Sequence, residues 1–115
     1  MIQRLNSIIM YSKDLDAAKQ WYQDKLGFEI LYYVPNAFLS MQHAQMGRID
    51  FHPTSDDSYI GRGPLPNFAV LDIAKAKAWL EGMGAKVSDI QQTGDSPRHA
   101  WFWDHEGNVL GLEEE

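Results

Sequence analysis

Two segments of the chain carry apolar residues at helical spacing, and each is framed by residues typical of helix ends. The spaced apolar positions are Leu15, Ala18, Tyr22 and Leu26 in the first segment and Ile73, Ala76, Leu80 and Met83 in the second. An aspartate precedes each run, where its carboxylate can accept the unpaired amides of the first helical turn. A glycine follows each run as a candidate C-cap. The pattern predicts helices over 14–26 and 73–83.

Short apolar stretches of strand character surround both predicted helices. They are bounded by Gly, Pro, Asn or Asp, which mark turns. The predicted strands are 5–12, 28–34, 37–42 and 48–53 in the first half, and 65–71, 85–91, 98–103 and 108–113 in the second. The order β-α-β-β-β therefore occurs twice, which predicts an α+β fold.

The two helical segments also share residues, which predicts an internal duplication. Asp14, Ala18, Lys19 and Trp21 recur in the same order as Asp72, Ala76, Lys77 and Trp79. A single module leaves one face of its sheet uncovered, so two should pair. We expect one domain over 1–115, with module 1 at 1–53, a linker at 54–64 and module 2 at 65–115. The matched Trp21 and Trp79 are expected to pack at the border of the core.

Charge and composition narrow the possible partners. The chain has 10 Lys and Arg against 16 Asp and Glu and contains no basic run, so nucleic acid is not an expected partner. No segment approaches the ~20 apolar residues of a membrane span, and no export signal is visible. The absence of cysteine rules out disulfides, thiolate metal sites and cysteine nucleophiles. A cytoplasmic protein is the expectation.

Two motifs resemble the glyoxalase/bleomycin-resistance/extradiol-dioxygenase superfamily, also called vicinal oxygen chelate proteins. The first is D-L-x-x-A-x-x-W-Y-x-x-x-L-G-F from Asp14, and the second is F-x-D-x-x-G-N-x-x-x-L from Phe102 to Leu112. His105 stands where the family usually has proline. The resemblance implies that two βαβββ modules pair into a curved, half-open, eight-stranded barrel-like sheet around a cleft. This fold hosts lyases, isomerases, dioxygenases, resistance enzymes and proteins that only bind.

The resemblance also implies four positions for metal ligands. The histidine of the first strand falls on Ser7, and the carboxylate of the fourth strand falls on Asp50. The ligand that opens the second module falls on Leu65, or on Asn67 if the register slips by two. The glutamate of the final strand falls on Gly111. A divalent metal needs three or four converging donors, so we predict no metal and no cofactor.

A rearranged metal site is the alternative. Strand alternation places Asp50 and His52 on one face, and it places His99 on the same side as the tryptophans of its own strand. Together the three nominally make a 2-His-1-carboxylate set. The protein would then be a metal-dependent lyase, isomerase or dioxygenase. Asp50 with His52 could also serve as an acid/base pair or as a structural ion pair.

Aromatic residues on the predicted cleft face favour binding of a small molecule. Tyr11, Trp101 and Trp103 should face the cleft, and an apolar patch open to solvent marks a binding surface. The predicted ligand contacts are Tyr11, Asp50, His52, Asn67, His99, Trp101 and Trp103. We predict a metal-free binder of a small aromatic or amphipathic molecule, neutral or cationic unless Arg48 and Arg98 reverse the local field.

Two alternatives stay open for the aromatic face. A second chain or the protein's own tail could cover it, or a partner chain could fill the cleft of a regulatory module. Exposed sheet edges lead us to expect a homodimer.

Overall fold

The computed structural model describes all 115 residues, Met1–Glu115, and contains two α-helices and eight strands. In the first half these are β1 (Ile8–Ser12), α1 (Leu15–Leu26), β2 (Glu29–Val34), β3 (Phe38–His43) and β4 (Gly47–Pro53). In the second half they are β5 (Asn67–Val70), α2 (Ile73–Gly82), β6 (Lys86–Val87), β7 (His99–Trp103) and β8 (Val109–Glu114). The predicted α+β class with two βαβββ modules is confirmed. Neither helix has the length and apolar character needed to cross a bilayer.

The chain divides into two compact units, Met1–Ile60 and Gly61–Glu115, and the boundary falls inside the predicted linker 54–64. Each unit holds one four-stranded sheet. The strand order is β1-β4-β3-β2 in the first and β5-β8-β7-β6 in the second. In both sheets the first and last strands of the module pair in parallel, and the other pairs are antiparallel. The two halves therefore repeat one topology. That the units form a single domain stays a prediction.

The helix ends follow the predicted chemistry with one shift. The Asp14 carboxylate accepts the Ala17 amide at 3.1 Å, and the Asp72 carboxylate accepts that of Lys75 at 3.0 Å. Gly27 caps α1 with φ 74°, a left-handed conformation that glycine adopts at little cost. At the second helix Met83 is the C-cap, and the left-handed residue is Gly84, one position later.

In the first unit α1 packs on one face of its sheet. The buried helix residues are Leu15, Ala18, Tyr22 and Leu26, as predicted. The Tyr22 ring lies 4.7 Å from the ring of Phe51, whose strand neighbour two positions back, Ile49, is also buried. Because side chains alternate along a strand, Asp50 and His52 lie on the other side of the sheet. We call the side of each sheet opposite its helix the helix-free face.

In the second unit the same arrangement buries Ile73 and Leu80 of α2 together with alternate residues of β7 and β8. The buried strand residues are Ala100, Phe102, Leu110 and Leu112. The expected packing of Trp79 at the border of the core is wrong, because its side chain is 56% exposed. Trp21 behaves as predicted, half-buried with its ring 5.0 Å from that of Tyr22.

The predicted strand 85–91 is largely wrong. Only Lys86–Val87 forms a strand, followed by an isolated bridge between Gln91 and His99. The Ser88 hydroxyl accepts the backbone amide of Trp101 at 2.8 Å, in place of a main-chain carbonyl. A serine side chain that competes with the backbone in this way interrupts the regular ladder.

The D-x-x-G-N motif forms the turn between β7 and β8. One carboxylate oxygen of Asp104 accepts the amides of Glu106, Gly107 and Asn108 at 2.9–3.1 Å. The Asn108 side chain donates to the other oxygen at 3.0 Å and accepts the amide of Gly61 at 2.9 Å. Asp104 and Asn108 are both buried, so these bonds satisfy groups that water does not reach. The motif is therefore structural.

Candidate functional site

The helix-free face of the first sheet has an ion pair at its centre. Arg48 and Asp50, two positions apart on β4, form a fork in which Nε donates to Oδ1 at 2.9 Å and Nη2 to Oδ2 at 3.1 Å. The Ser7 hydroxyl also donates to Oδ2, at 2.9 Å. Asp50 is only 5% exposed. The carboxylate at the position implied for a metal ligand is thus held by a guanidinium and a hydroxyl.

The protonation state of Asp50 follows from these contacts. Burial alone would raise its pKa, but hydrogen bonding by Arg48 and Ser7, together with the charge of Arg48, outweighs burial and holds the pKa below its ordinary value of 3.8. Ser40, paired with Asp50 across the strands, is fully buried, and its hydroxyl makes no well-formed hydrogen bond. Asp50 is therefore ionised at neutral pH, and Arg48 balances its charge. The ion pair of Asp50 is made with Arg48 and not with His52.

His52 lies among aromatic rings on the same face. Its ring centroid is 6.4 Å from that of Tyr11, the residue paired with it on β1, and 5.7 Å from that of Phe38 on β3. Tyr59, at the end of the short 3-10 helix Asp57–Tyr59 that follows β4, packs edge-on against Tyr11 at 5.0 Å. We call Tyr11, Phe38, His52 and Tyr59 the aromatic cluster. The sequence pattern predicted Tyr11 and His52 but not the other two, although strand alternation places Phe38 on the same side of β3 as Ser40.

Tyr32 extends this face along β2. Its ring lies over the guanidinium of Arg48, 5.9 Å from Cζ to the ring centroid, and its side chain is 57% exposed. Ile9 and Val34 are also exposed. The face therefore combines an internally neutralised ion pair with exposed aromatic and aliphatic surface.

The helix-free face of the second sheet is built around Gly111. Gly111 lies on β8 between Asn67 of β5 and Trp101 of β7, which pair with it on either side. A Cβ at Gly111 would fall well inside van der Waals contact with Oδ1 of Asn67 and only 3.2 Å from Cζ3 of Trp101. The amide and the indole thus occupy the space that a side chain at 111 would need.

His99, Trp101 and Trp103 share one face of β7, as predicted, because Ala100 and Phe102 are buried between them. The rings of His99 and Trp101 are 5.8 Å apart, and Trp101 is 36% exposed. Lys86 places its ammonium 4.9 Å from the ring centroid of Trp103. The helix-free face of the second sheet is therefore aromatic, with the polar groups of His99 and Lys86 beside the tryptophan rings.

The residues at the four implied ligand positions do not fit a metal ion. The Asp50 carboxylate accepts hydrogen bonds from Ser7 and Arg48, Leu65 is aliphatic, and Gly111 has neither a side chain nor room for one. No group of three or more His, Asp or Glu side chains that could hold a metal is found in the chain. In the alternative metal set, Asp50 and His52 belong to the first unit and His99 to the second.

Comparison with known proteins agrees with the fold. The family model "Glyoxalase/Bleomycin resistance protein/Dioxygenase superfamily" matches residues 4–112. No curated protein matches the sequence significantly. Among solved structures, TnmS3, an antibiotic-binding protein from a Streptomyces species, is 24% identical with a TM-score of 0.80, over 98% of this chain and 96% of that one.

Two further solved structures share the fold at lower identity. FosX, a fosfomycin resistance protein from Listeria monocytogenes seen with Mn(II) and a dihydroxypropylphosphonic acid, is 16% identical with a TM-score of 0.77, over 98% and 90% of the chains. Lactoylglutathione lyase from Agrobacterium tumefaciens is 18% identical with a TM-score of 0.72, over 98% and 94%. Identities this low show the fold alone. The match to the family model over nearly the whole chain shows that this protein belongs to the glyoxalase/bleomycin resistance protein/dioxygenase superfamily.

Proposed function

We propose that the protein binds a small planar aromatic or amphipathic molecule on the helix-free faces of its sheets, without a metal ion. The main support for this proposal is that two other side chains fill the space beside Gly111. The position where the family resemblance implies a glutamate ligand is covered by Asn67 and Trp101, one a hydrogen-bonding amide and the other a partly exposed ring.

The proposed contacts are those predicted from the sequence: Tyr11, Asp50, His52, Asn67, His99, Trp101 and Trp103. Stacking on rings such as Trp101 contributes roughly 0.5–1.5 kcal/mol per aromatic pair beyond the area buried. The amide of Asn67 and the imidazole of His99 are the kind of isolated polar groups that orient a ligand in an apolar site. Asp50 contributes through Arg48, because its carboxylate is already bonded and nearly inaccessible.

The ligand is neutral in this proposal. The sequence leads us to expect a neutral or cationic ligand, but Arg48 neutralises the charge of Asp50 within the sheet, which removes one reason for a cation. A neutral pair of charges attracts neither sign of ligand strongly at a distance. TnmS3, which has the same fold, is described as an antibiotic-binding protein, and this supports small-molecule binding as a use of this architecture.

The test is a titration followed by tryptophan fluorescence, with a panel of neutral polycyclic aromatic compounds. Ligand should perturb the emission of Trp101 and Trp103, so Trp101→Phe and Trp103→Phe should each reduce the signal. Trp79→Phe is the matched control, since Trp79 lies on a helix. If no compound of the panel changes the emission of the wild type, or if only the Trp79→Phe variant loses the signal, the proposal fails.

A further inference from the structure

We propose that the free edge of the Arg48 guanidinium holds the carbonyl oxygen of a neutral planar ligand. This inference rests on the proposed function, and it adds the chemical class of the ligand. It starts from the fork between Arg48 and Asp50, which engages Nε and one N–H of Nη2. A guanidinium has five N–H donors, so three remain. They donate to no protein atom.

Two neighbours fix the orientation of those donors. Asp50 is buried and is itself held by Ser7, so the guanidinium plane is set by a rigid partner. The guanidinium also lies over the ring of Tyr32, with Cζ 5.9 Å from the ring centroid. The Arg48 side chain is 24% exposed, so it is open in part to solvent. An acceptor atom can therefore approach in the plane of the guanidinium while a flat ring packs beside Tyr32.

The charge of the pair selects the type of acceptor. Arg48 and Asp50 together carry no net charge. The site therefore offers hydrogen-bond donors, but it lacks the positive potential that would compensate a bound anion for the hydration it loses. A carbonyl oxygen on an aromatic ring system is the neutral acceptor that matches both the donors and the surrounding aromatic surface. A carboxylate would instead place a second negative group near Asp50.

Arg98 provides a matched control within the same chain. It forms the same fork with Glu114, with distances of 3.0 Å and 2.8 Å. That pair lies toward α2, because Glu114 also accepts the amide of Ile73 at the start of the helix. Arg98 therefore has the same chemistry as Arg48, but it lies on the helix side of its own sheet, the second one.

The experiment compares fluorenone with fluorene, which have the same ring system with and without a carbonyl, and adds fluorene-2-carboxylate. The wild type should bind fluorenone about tenfold or more tightly than fluorene, the effect of a hydrogen bond to a charged donor. Arg48→Lys keeps the charge beside Asp50 but loses the planar fork. It should bring fluorenone down to the affinity of fluorene and leave fluorene unchanged, while Arg98→Lys should behave as the wild type.

Each other outcome contradicts the inference. Equal binding of fluorenone and fluorene by the wild type would overturn it and leave the proposed function standing, whereas tightest binding of the carboxylate would overturn it together with the proposed neutrality of the ligand. Binding of none of the three would overturn both. If Arg48→Lys fails to fold by circular dichroism, the double variant R48M/D50N, which removes both charges, should show the same loss of preference for fluorenone. Retained preference in that variant would exclude Arg48 as the donor.

Discussion

Substitution of Gly111 by alanine tests the crowding at the centre of the second sheet. The added Cβ would collide with the amide oxygen of Asn67 and press on the ring of Trp101. Both obstacles are the far ends of side chains, and Asn67 is exposed, so they can move. Gly111 is not among the residues with positive φ, so its backbone accepts alanine without strain.

Two opposing effects set the magnitude. Replacement of glycine by alanine at a compatible backbone position stabilises a protein by about 0.4–1 kcal/mol through the unfolded state. Displacement of Asn67 from its rotamer costs about 0.5–1.5 kcal/mol, and the shift of Trp101 adds to that. We therefore expect Gly111→Ala to leave the free energy of unfolding unchanged or to lower it by up to about 1 kcal/mol. In an Asn67→Ala background the main obstacle is gone, and the same substitution should stabilise.

The assay is a double-mutant cycle over Gly111→Ala and Asn67→Ala, measured by urea unfolding with far-UV circular dichroism. The expected coupling is about 1 kcal/mol, within the usual range for residues in contact. Gly82→Ala is the control, because a Cβ there meets nothing within 4 Å and should stabilise equally in both backgrounds. If Gly111→Ala stabilises the wild type as much as it stabilises Asn67→Ala, then Asn67 does not occupy this space and the reasoning is refuted.

Three further predictions follow from the ion pair, the turn and the exposed surface. Asp50→Asn should lower the free energy of unfolding by about 1–3 kcal/mol at pH 7. Since folding lowers the pKa of Asp50, this stabilisation is complete above its ordinary value of 3.8 and is lost as pH falls through the folded value, so wild type and variant should converge in acid; a difference that persists below the folded pKa would contradict this. Asp104→Ala leaves three amides without their acceptor and should cost about 2–3 kcal/mol by thermal unfolding, while Asp104→Asn, which keeps an oxygen, should cost less. Exposed apolar residues such as Ile9 and Tyr32 lead us to expect a homodimer, so sedimentation at micromolar concentration should give twice the mass of one chain, and a monomer would count against it.

Local periodicity was enough to predict the elements and the faces of the strands. The helical spacing and the Asp and Gly caps located both helices to within about one residue, because these signals depend on neighbours along the chain. Alternation placed His52 on the helix-free face, since Phe51 had to be buried beneath the helix. The face of the sheet on which a strand residue lies could therefore be predicted from the sequence.

Contacts between strands could not be predicted from the sequence in the same way. The crowding of Gly111 depends on the register of β8 against two different strands, which alternation along one strand does not determine. The choice of Arg48 over His52 as the partner of Asp50 depends on side-chain geometry that can form only in the folded sheet. The early end of β6 follows from one side chain, the hydroxyl of Ser88, which accepts a hydrogen bond from the backbone amide of Trp101 on β7.

Metal-free binding of an aromatic ligand can be tested by native mass spectrometry of the purified, tag-free protein. The protein is prepared without a chelator and then mixed with the neutral aromatic panel. We expect the polypeptide mass with no metal adduct, and one added mass that corresponds to a panel compound and disappears in Trp101→Ala. A stoichiometric metal adduct that is lost in Asp50→Ala or His52→Ala, with no aromatic adduct, would refute metal-free binding and favour a metal-dependent enzyme.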